Sequence, residues 1–229
     1  MKKRLTGVAI PLGALYTKDN SVIGEFGDLK LFADFCKAAG ISIIQLLPVN
    51  DTGTQSSPYS GLSAFALHPI YIRINEVPGF EALYKSDEKF KKAYDDFIKS
   101  QKYALRYNYD AILNGKNTLL KMIYDSIDEG KTGETSTELS KWIRANSWVK
   151  DYAVYKNLKW NYMQASWKSW LILTSIRQRK KLLHYGIKRC LRRNILFMPG
   201  ARWLQMNSLR MLLPMCTKPD SFSRATCLF

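Results

Sequence analysis

Apolar and polar positions follow a strand, helix, strand pattern over the first fifty residues. Residues 6–15 form a short apolar run with Pro and Gly in it, which predicts a buried strand leading into a loop. Over residues 29–39, apolar side chains recur every three or four positions between Asp28, a predicted N-cap, and Gly40, a predicted helix stop. Residues 41–49 are almost continuously apolar, which favours a parallel strand covered on both faces. The pattern predicts a βαβ unit and an α/β fold.

Beyond this unit the pattern becomes helical. A polar loop over residues 50–60 precedes a strand-like piece, residues 69–74, and three segments with apolar residues at helical spacing follow. These segments are residues 84–102, 110–129 and 137–162, and Gly115, Gly130 and Gly133 interrupt them. We therefore predict a helical insertion, residues 76–170, after the second strand.

The charge balance changes at Trp170. Residues 171–229 hold 12 Lys or Arg and one acid, whereas residues 1–170 hold 23 basic and 18 acidic residues. This tail contributes most of the net charge of +16, and its apolar residues follow no sustained period. A basic tail that binds nucleic acid by releasing counterions from phosphates is one hypothesis. Sequence translated in the wrong reading frame is another.

Metal, disulfide and membrane chemistry have little support in the sequence. The four cysteines match no zinc or redox spacing, and the chain has two histidines, so we predict neither a metal nor another cofactor. No apolar run reaches the roughly 18 residues that a membrane helix needs. The amino-terminal apolar run is broken by Pro11 and Gly13, unlike a signal peptide. We expect a cytoplasmic protein with neither a membrane nor a nucleic acid as its partner.

Three motifs follow one another within the first 74 residues. They are residues 24–29 (GEFGDL), residues 44–49 (IQLLPV) and residues 57–72 (SPYSGLSAFALHPIYI). In this order and at these spacings, they resemble the motifs of the amylomaltase family of 4-α-glucanotransferases. We expect Gly24 and Gly27 to allow a close backbone approach, and Phe65 and Tyr71 to lie in the core.

The resemblance implies an incomplete (β/α)8 TIM barrel, with its first strands and helix in residues 1–75. It also implies retaining transfer of a 1,4-α-glucan segment to the 4-position of an acceptor, without a cofactor. The family contacts the glucan through residues that match Ser57 and Tyr59, on a loop that follows a barrel strand. From the residues alone, Tyr59 and the proline before it could instead only shape and pack a turn. No acid of this chain matches the family's catalytic carboxylates, so we assign no catalytic residue.

The tail itself supports the reading-frame hypothesis. Synonymous codons for residues 224–229 (RATCLF), read one nucleotide earlier, can spell Lys-Gly-Asp-Leu-Pro-Ile, which the family carries on a barrel strand. We predict a nucleotide lost after Trp170, a tail over residues 171–229 without a native fold, and a chain without transferase activity. The coding DNA across Trp170 tests this. Alternatives are a non-catalytic glucan-binding fragment and a nucleic-acid-binding protein that uses the tail.

Overall fold

The computed structural model describes residues 4–17, 23–102, 106–128, 141–170 and 226–228. The chain divides into two compact units, Met1–Ser126 with Leu204–Phe229 and Ile127–Trp203. Most of the tail, residues 171–225, lies outside the described residues.

The first unit is built on a small parallel sheet. Strand β1 (Gly7–Ile10), helix α1 (Asp28–Ala38) and strand β2 (Ile43–Leu46) follow one another, and β1 pairs with β2 in parallel. The predicted βαβ unit is therefore confirmed. A third strand, β3 (Thr226–Leu228), pairs in parallel with β2, so that the sheet order is β1-β2-β3. The sequence pattern does not predict β3, because the segment around it has no period of its own.

Helix α1 covers one face of the β1–β2 pair. Cys36 of α1 is buried together with Ile44 and Leu46 of β2, and Phe32 packs against this cluster. Successive side chains of a strand point to opposite faces, and on the other face Gln45 is exposed. The prediction that β2 is covered on both faces is therefore wrong, because α1 shields only alternate side chains.

The two ends of α1 differ in how closely they follow the sequence pattern. The predicted N-cap is wrong by one residue: Gly27 caps the helix and Asp28 begins it. The Asp28 carboxylate instead accepts a hydrogen bond from the backbone N–H of Glu25, at 2.7 Å. Gly40 follows the helix with φ +74°, a conformation that glycine adopts freely, so the predicted stop is confirmed.

The segment predicted as a strand over residues 69–74 forms two 3-10 turns, Pro69–Tyr71 and Ile74–Glu76. The helices that follow are α2 (Phe80–Ser86), α3 (Glu88–Lys102) and α4 (Tyr109–Asp128). The helix predicted over residues 110–129 is confirmed, and the one over residues 84–102 divides at Asp87. Gly115 does not interrupt α4. A Cβ there would lie 2.4 Å from Phe97 Cδ2, so the glycine lets α3 and α4 approach closely.

In the second unit, residues 141–145 are helical and α5 spans Trp148–Asn161. The single helix predicted over residues 137–162 is therefore broken near Ser147. Trp170 is buried and stacks on Tyr162, with ring centroids 5.7 Å apart. In the part of the chain that the structure describes, no helix is long and apolar enough to cross a membrane.

Candidate functional site

The loop that leaves the carboxyl end of β2 is closed at its base by backbone pairing. We call residues 50–68 the β2 loop; Asn50 and Leu67 form an antiparallel bridge across it. The N–H of Asp51 donates to the carbonyl of Ala66 at 2.7 Å, and the N–H of His68 donates to the carbonyl of Val49 at 2.9 Å. These bonds hold the two ends of the loop together. The part between them projects, since residues 54–61 are exposed apart from the half-buried Pro58.

The two residues predicted to contact sugar lie in this projecting part. Ser57 is exposed, and Tyr59 exposes 73% of its surface. The N–H of Ser60 donates to the carbonyl of Ser57 at 3.1 Å, which closes a turn around Tyr59. Phe65 is also 70% exposed, so the prediction that it belongs to the core is wrong. The loop thus presents a hydroxyl and two aromatic rings to the solvent.

A chain of polar side chains joins the base of the β2 loop to α4. The hydroxyl of Tyr109, at the start of α4, lies 3.1 Å from Thr52 Oγ1 and 2.6 Å from His68 Nε2. Thr52 and His68 are 4% and 1% exposed. Burial raises the pKa of Tyr109 to about 12, so its hydroxyl stays protonated at neutral pH. The sequence motifs do not include Tyr109, which follows His68 by 41 residues.

A second polar cluster involves the first motif, residues 24–29, and two basic residues from later in the chain. Arg73 Nε donates to Glu25 Oε2 at 3.0 Å, and its Nη2 makes a short contact with Asp28 Oδ1. Lys116 of α4 donates from Nζ to Glu25 Oε1 at 2.5 Å. Glu25, Asp28 and Lys116 are fully buried, and the Arg73 side chain is 12% exposed. The two acids and two bases therefore balance one another inside the fold.

The two glycines of this motif allow the close approach expected of them. A Cβ on Gly24 would lie 2.0 Å from the carbonyl oxygen of Leu12, and one on Gly27 would lie 2.7 Å from Arg73 Cζ. Tyr71 packs edge-on against Phe26, with ring centroids 5.8 Å apart. The motif is therefore structural, because it seats the start of α1 against its neighbours.

The buried acids of the first unit are engaged in structural contacts. Besides Glu25 and Asp28, Asp51 is fully buried and its carboxylate accepts the N–H of Gly53 at 2.9 Å. Among the described residues, no group of three or more His, Cys, Asp or Glu could hold a metal ion. The described acids of this unit that are buried therefore serve the fold, and the exposed side chains of the β2 loop are hydroxyl-bearing or aromatic at Ser57, Tyr59 and Phe65.

Proteins of known family resemble this chain in sequence and in fold. The profile of the 4-alpha-glucanotransferase family matches residues 10–217, a range that runs past Trp170. The chain is 28% identical over 153 residues to the 4-alpha-glucanotransferase of Chlamydia trachomatis, covering 67% of this chain and 28% of that protein. It is 29% identical over 167 residues to that of Chlamydia caviae, covering 72% and 30%. It thus spans less than a third of the length of these two curated relatives.

The fold resembles that of a solved amylomaltase. The amylomaltase from Streptococcus agalactiae, in complex with acarbose, matches with a TM-score of 0.72 at 20% identity. The match covers 92% of this chain and 40% of that one.

Proposed function

Because the chain belongs to the 4-alpha-glucanotransferase family, we propose that it forms the first part of an enzyme that transfers a 1,4-α-glucan segment to the 4-hydroxyl of an acceptor glucose or glucan. In a retaining reaction of this kind, one carboxylate attacks the anomeric carbon while a carboxylic acid protonates the leaving glucan. The acceptor hydroxyl then takes the place of water in the second step. The residues of this chain bind glucan in that scheme, and the carboxylates come from outside it.

The fold of the whole enzyme is a (β/α)8 barrel, of which residues 1–75 supply the first strands and helix and residues 76–170 an insertion. Two observations support this proposal. The strands β1 and β2 are parallel and joined through α1. Their second face, with Gly7, Ala9 and Gln45, is exposed, as the inner face of an unclosed barrel would be.

The exposure of Tyr59 on the loop after β2 is the observation that carries the proposal. Barrel enzymes bind substrate on loops that leave the carboxyl ends of their strands, and the β2 loop leaves the carboxyl end of β2. The face of a tyrosine ring packs against the C–H surface of a sugar ring, and its hydroxyl forms hydrogen bonds. Ser57 adds a second hydroxyl. The substrate class that fits is maltodextrin.

Replacing Tyr59 with alanine is expected to weaken maltoheptaose binding about tenfold, since truncating an aromatic anchor costs more than about 1 kcal/mol. Titration calorimetry on the 229-residue chain measures the dissociation constant. The matched control is Phe35→Ala, which removes an aromatic side chain that is 62% exposed on α1. Equal losses in the two variants, or no loss in either, would show that Tyr59 does not contact the glucan.

The 229-residue chain alone is expected to release no glucose from maltotriose. The reason is that none of its acids matches the family's catalytic carboxylates. Chromatography of glucose and longer maltodextrins after prolonged incubation measures this. Product formation that survives further purification would mean that the chain carries a catalytic pair of its own.

A further inference from the structure

The hydrogen bonds around Tyr109 have one consistent direction. The N–H of Ile70 donates to His68 Nδ1 at 3.2 Å, so in the neutral ring the proton is on Nε2. His68 Nε2 therefore donates to the hydroxyl of Tyr109, at 2.6 Å. Thr52 Oγ1 donates its own proton to the carbonyl of Gln55 at 2.5 Å and accepts from Tyr109 at 3.1 Å. Each of these three donors, His68, Tyr109 and Thr52, therefore has an acceptor.

These hydrogen bonds connect both ends of the β2 loop to the hydroxyl group of Tyr109. Thr52 and Gly53 stand at the start of the loop, and the Tyr109 hydroxyl lies 3.4 Å from the carbonyl of Gly53. His68 stands at the end of the loop. Through Thr52, the same hydrogen-bond network reaches the carbonyl of Gln55, two residues before Ser57. Helix α4 thereby fixes the stem from which the exposed part of the loop projects.

The ring of Tyr109 has a separate contact that does not need its hydroxyl. It packs edge-on against the His68 ring, with centroids 5.9 Å apart and an interplanar angle of 87°. A phenylalanine keeps this packing and loses only the hydrogen bonds. The two contributions can therefore be separated by one conservative substitution.

We propose that Tyr109 is a positioning residue, which holds the β2 loop in the conformation in which Ser57 and Tyr59 bind glucan. This role rests on the proposed function, since the residues that it positions are the glucan-binding ones. It adds a residue outside the motifs of the family resemblance, contributed by the helical insertion.

Tyr109→Phe is expected to weaken maltoheptaose binding five- to tenfold, because a buried donor and a buried acceptor lose their partner. It is also expected to speed amide hydrogen exchange within residues 53–64 about tenfold in the chain without ligand, leaving α1 and β2 unchanged. Mass spectrometry of the exchange and calorimetry of binding measure the two effects on the 229-residue chain. Tyr84→Phe is the matched control, because its hydroxyl donates to Asp95 at 2.9 Å on α3.

A second variant tests the same bond from its other side. Thr52→Val removes the hydroxyl that Tyr109 contacts, and the double variant with Tyr109→Phe is expected to bind no more weakly than the worse single variant. If the losses of binding in the two single variants add fully in the double variant, Thr52 and Tyr109 do not act through the same hydrogen bond. The positioning role of Tyr109 is also contradicted if Tyr109→Phe leaves amide hydrogen exchange in the β2 loop unchanged. The same holds if it speeds exchange equally across the first unit.

The same experiment separates this proposal from the one on which it rests. If the unchanged chain binds no maltoheptaose, the proposed glucan binding is wrong. The proposed positioning role of Tyr109 then fails as well, because it depends on glucan binding. If the unchanged chain binds and Tyr109→Phe binds equally well despite faster loop exchange, only the positioning role is wrong.

Discussion

Replacing Lys116 with methionine is expected to lower the free energy of unfolding by about 3–5 kcal/mol, the range for breaking a buried ion pair from one side. The Lys116 ammonium is fully buried and donates to Glu25 and to the carbonyls of Ile70 and Ile72, at 2.7 and 3.0 Å. Methionine fills a similar volume and supplies none of these bonds. The buried cluster would keep a net negative charge, and two carbonyls would lose their donor. Urea denaturation followed by circular dichroism measures the loss.

The chain offers a matched control on the same helix. Lys121 pairs with Asp125 on the surface of α4 at 2.8 Å, with the Lys121 side chain 43% exposed. Lys121→Met is expected to change stability by less than about 1 kcal/mol. Adding Glu25→Gln to Lys116→Met restores charge balance and is expected to recover part of the loss. A Lys116→Met variant as stable as Lys121→Met would show that the buried cluster does not stabilise the fold.

Replacing Gly24 with alanine is expected to cost about 3 kcal/mol, at the upper end of the usual penalty for overpacking. The added Cβ would lie 2.0 Å from the carbonyl oxygen of Leu12 and 2.8 Å from that of Leu15. Both are backbone atoms, so no rotamer change relieves the contact. The first motif must then move away from the turn after β1, where the N–H of Gly24 donates to the carbonyl of Gly13.

Gly61→Ala serves as the control for this substitution. A Cβ there has its nearest neighbours at 3.8 Å, which is ordinary contact distance. We expect Gly61→Ala to change the urea midpoint little, whereas Gly24→Ala shifts it strongly downward. The close-approach explanation fails if the two variants unfold at the same urea concentration.

The βαβ unit could be predicted because its signals are local. The helical spacing of α1, with Gly40 after it, and the β-branched run that contains β2 each depend on neighbouring residues only. Residues 69–76 form 3-10 turns, although the local sequence pattern over residues 69–74 predicts a strand. Their apolar run suggests a strand, but the carbonyls of Ile70 and Ile72 bond to Lys116, a residue more than forty positions later. No local pattern contains that partner.

The buried lysine does leave a trace in the sequence. Lys116 stands four residues after Ile112 and three before Leu119, and both of these are buried. It therefore occupies a position on the apolar face of α4. A charged residue at such a position indicates a buried partner, although it does not say which one.

The candidate site was predictable only where a motif marks it. Ser57 and Tyr59 follow a strand signal and belong to the third motif, and their exposure agrees with the predicted binding role without testing it. Tyr109 belongs to none of the three motifs. Its contact with His68 depends on how α4 folds back on the β2 loop, which is a tertiary relationship.

The position of β1 in the sheet has a consequence for how the molecule behaves in solution. Within the described residues, β1 pairs with β2 on one side, and the sheet order places it at an edge. Its sequence, Gly7–Ile10, carries no charge and no proline, the features that usually stop edge strands from pairing with other molecules. An edge strand of this kind is a template for a strand of another molecule, so we expect β1 to make the 229-residue chain prone to self-association at high concentration.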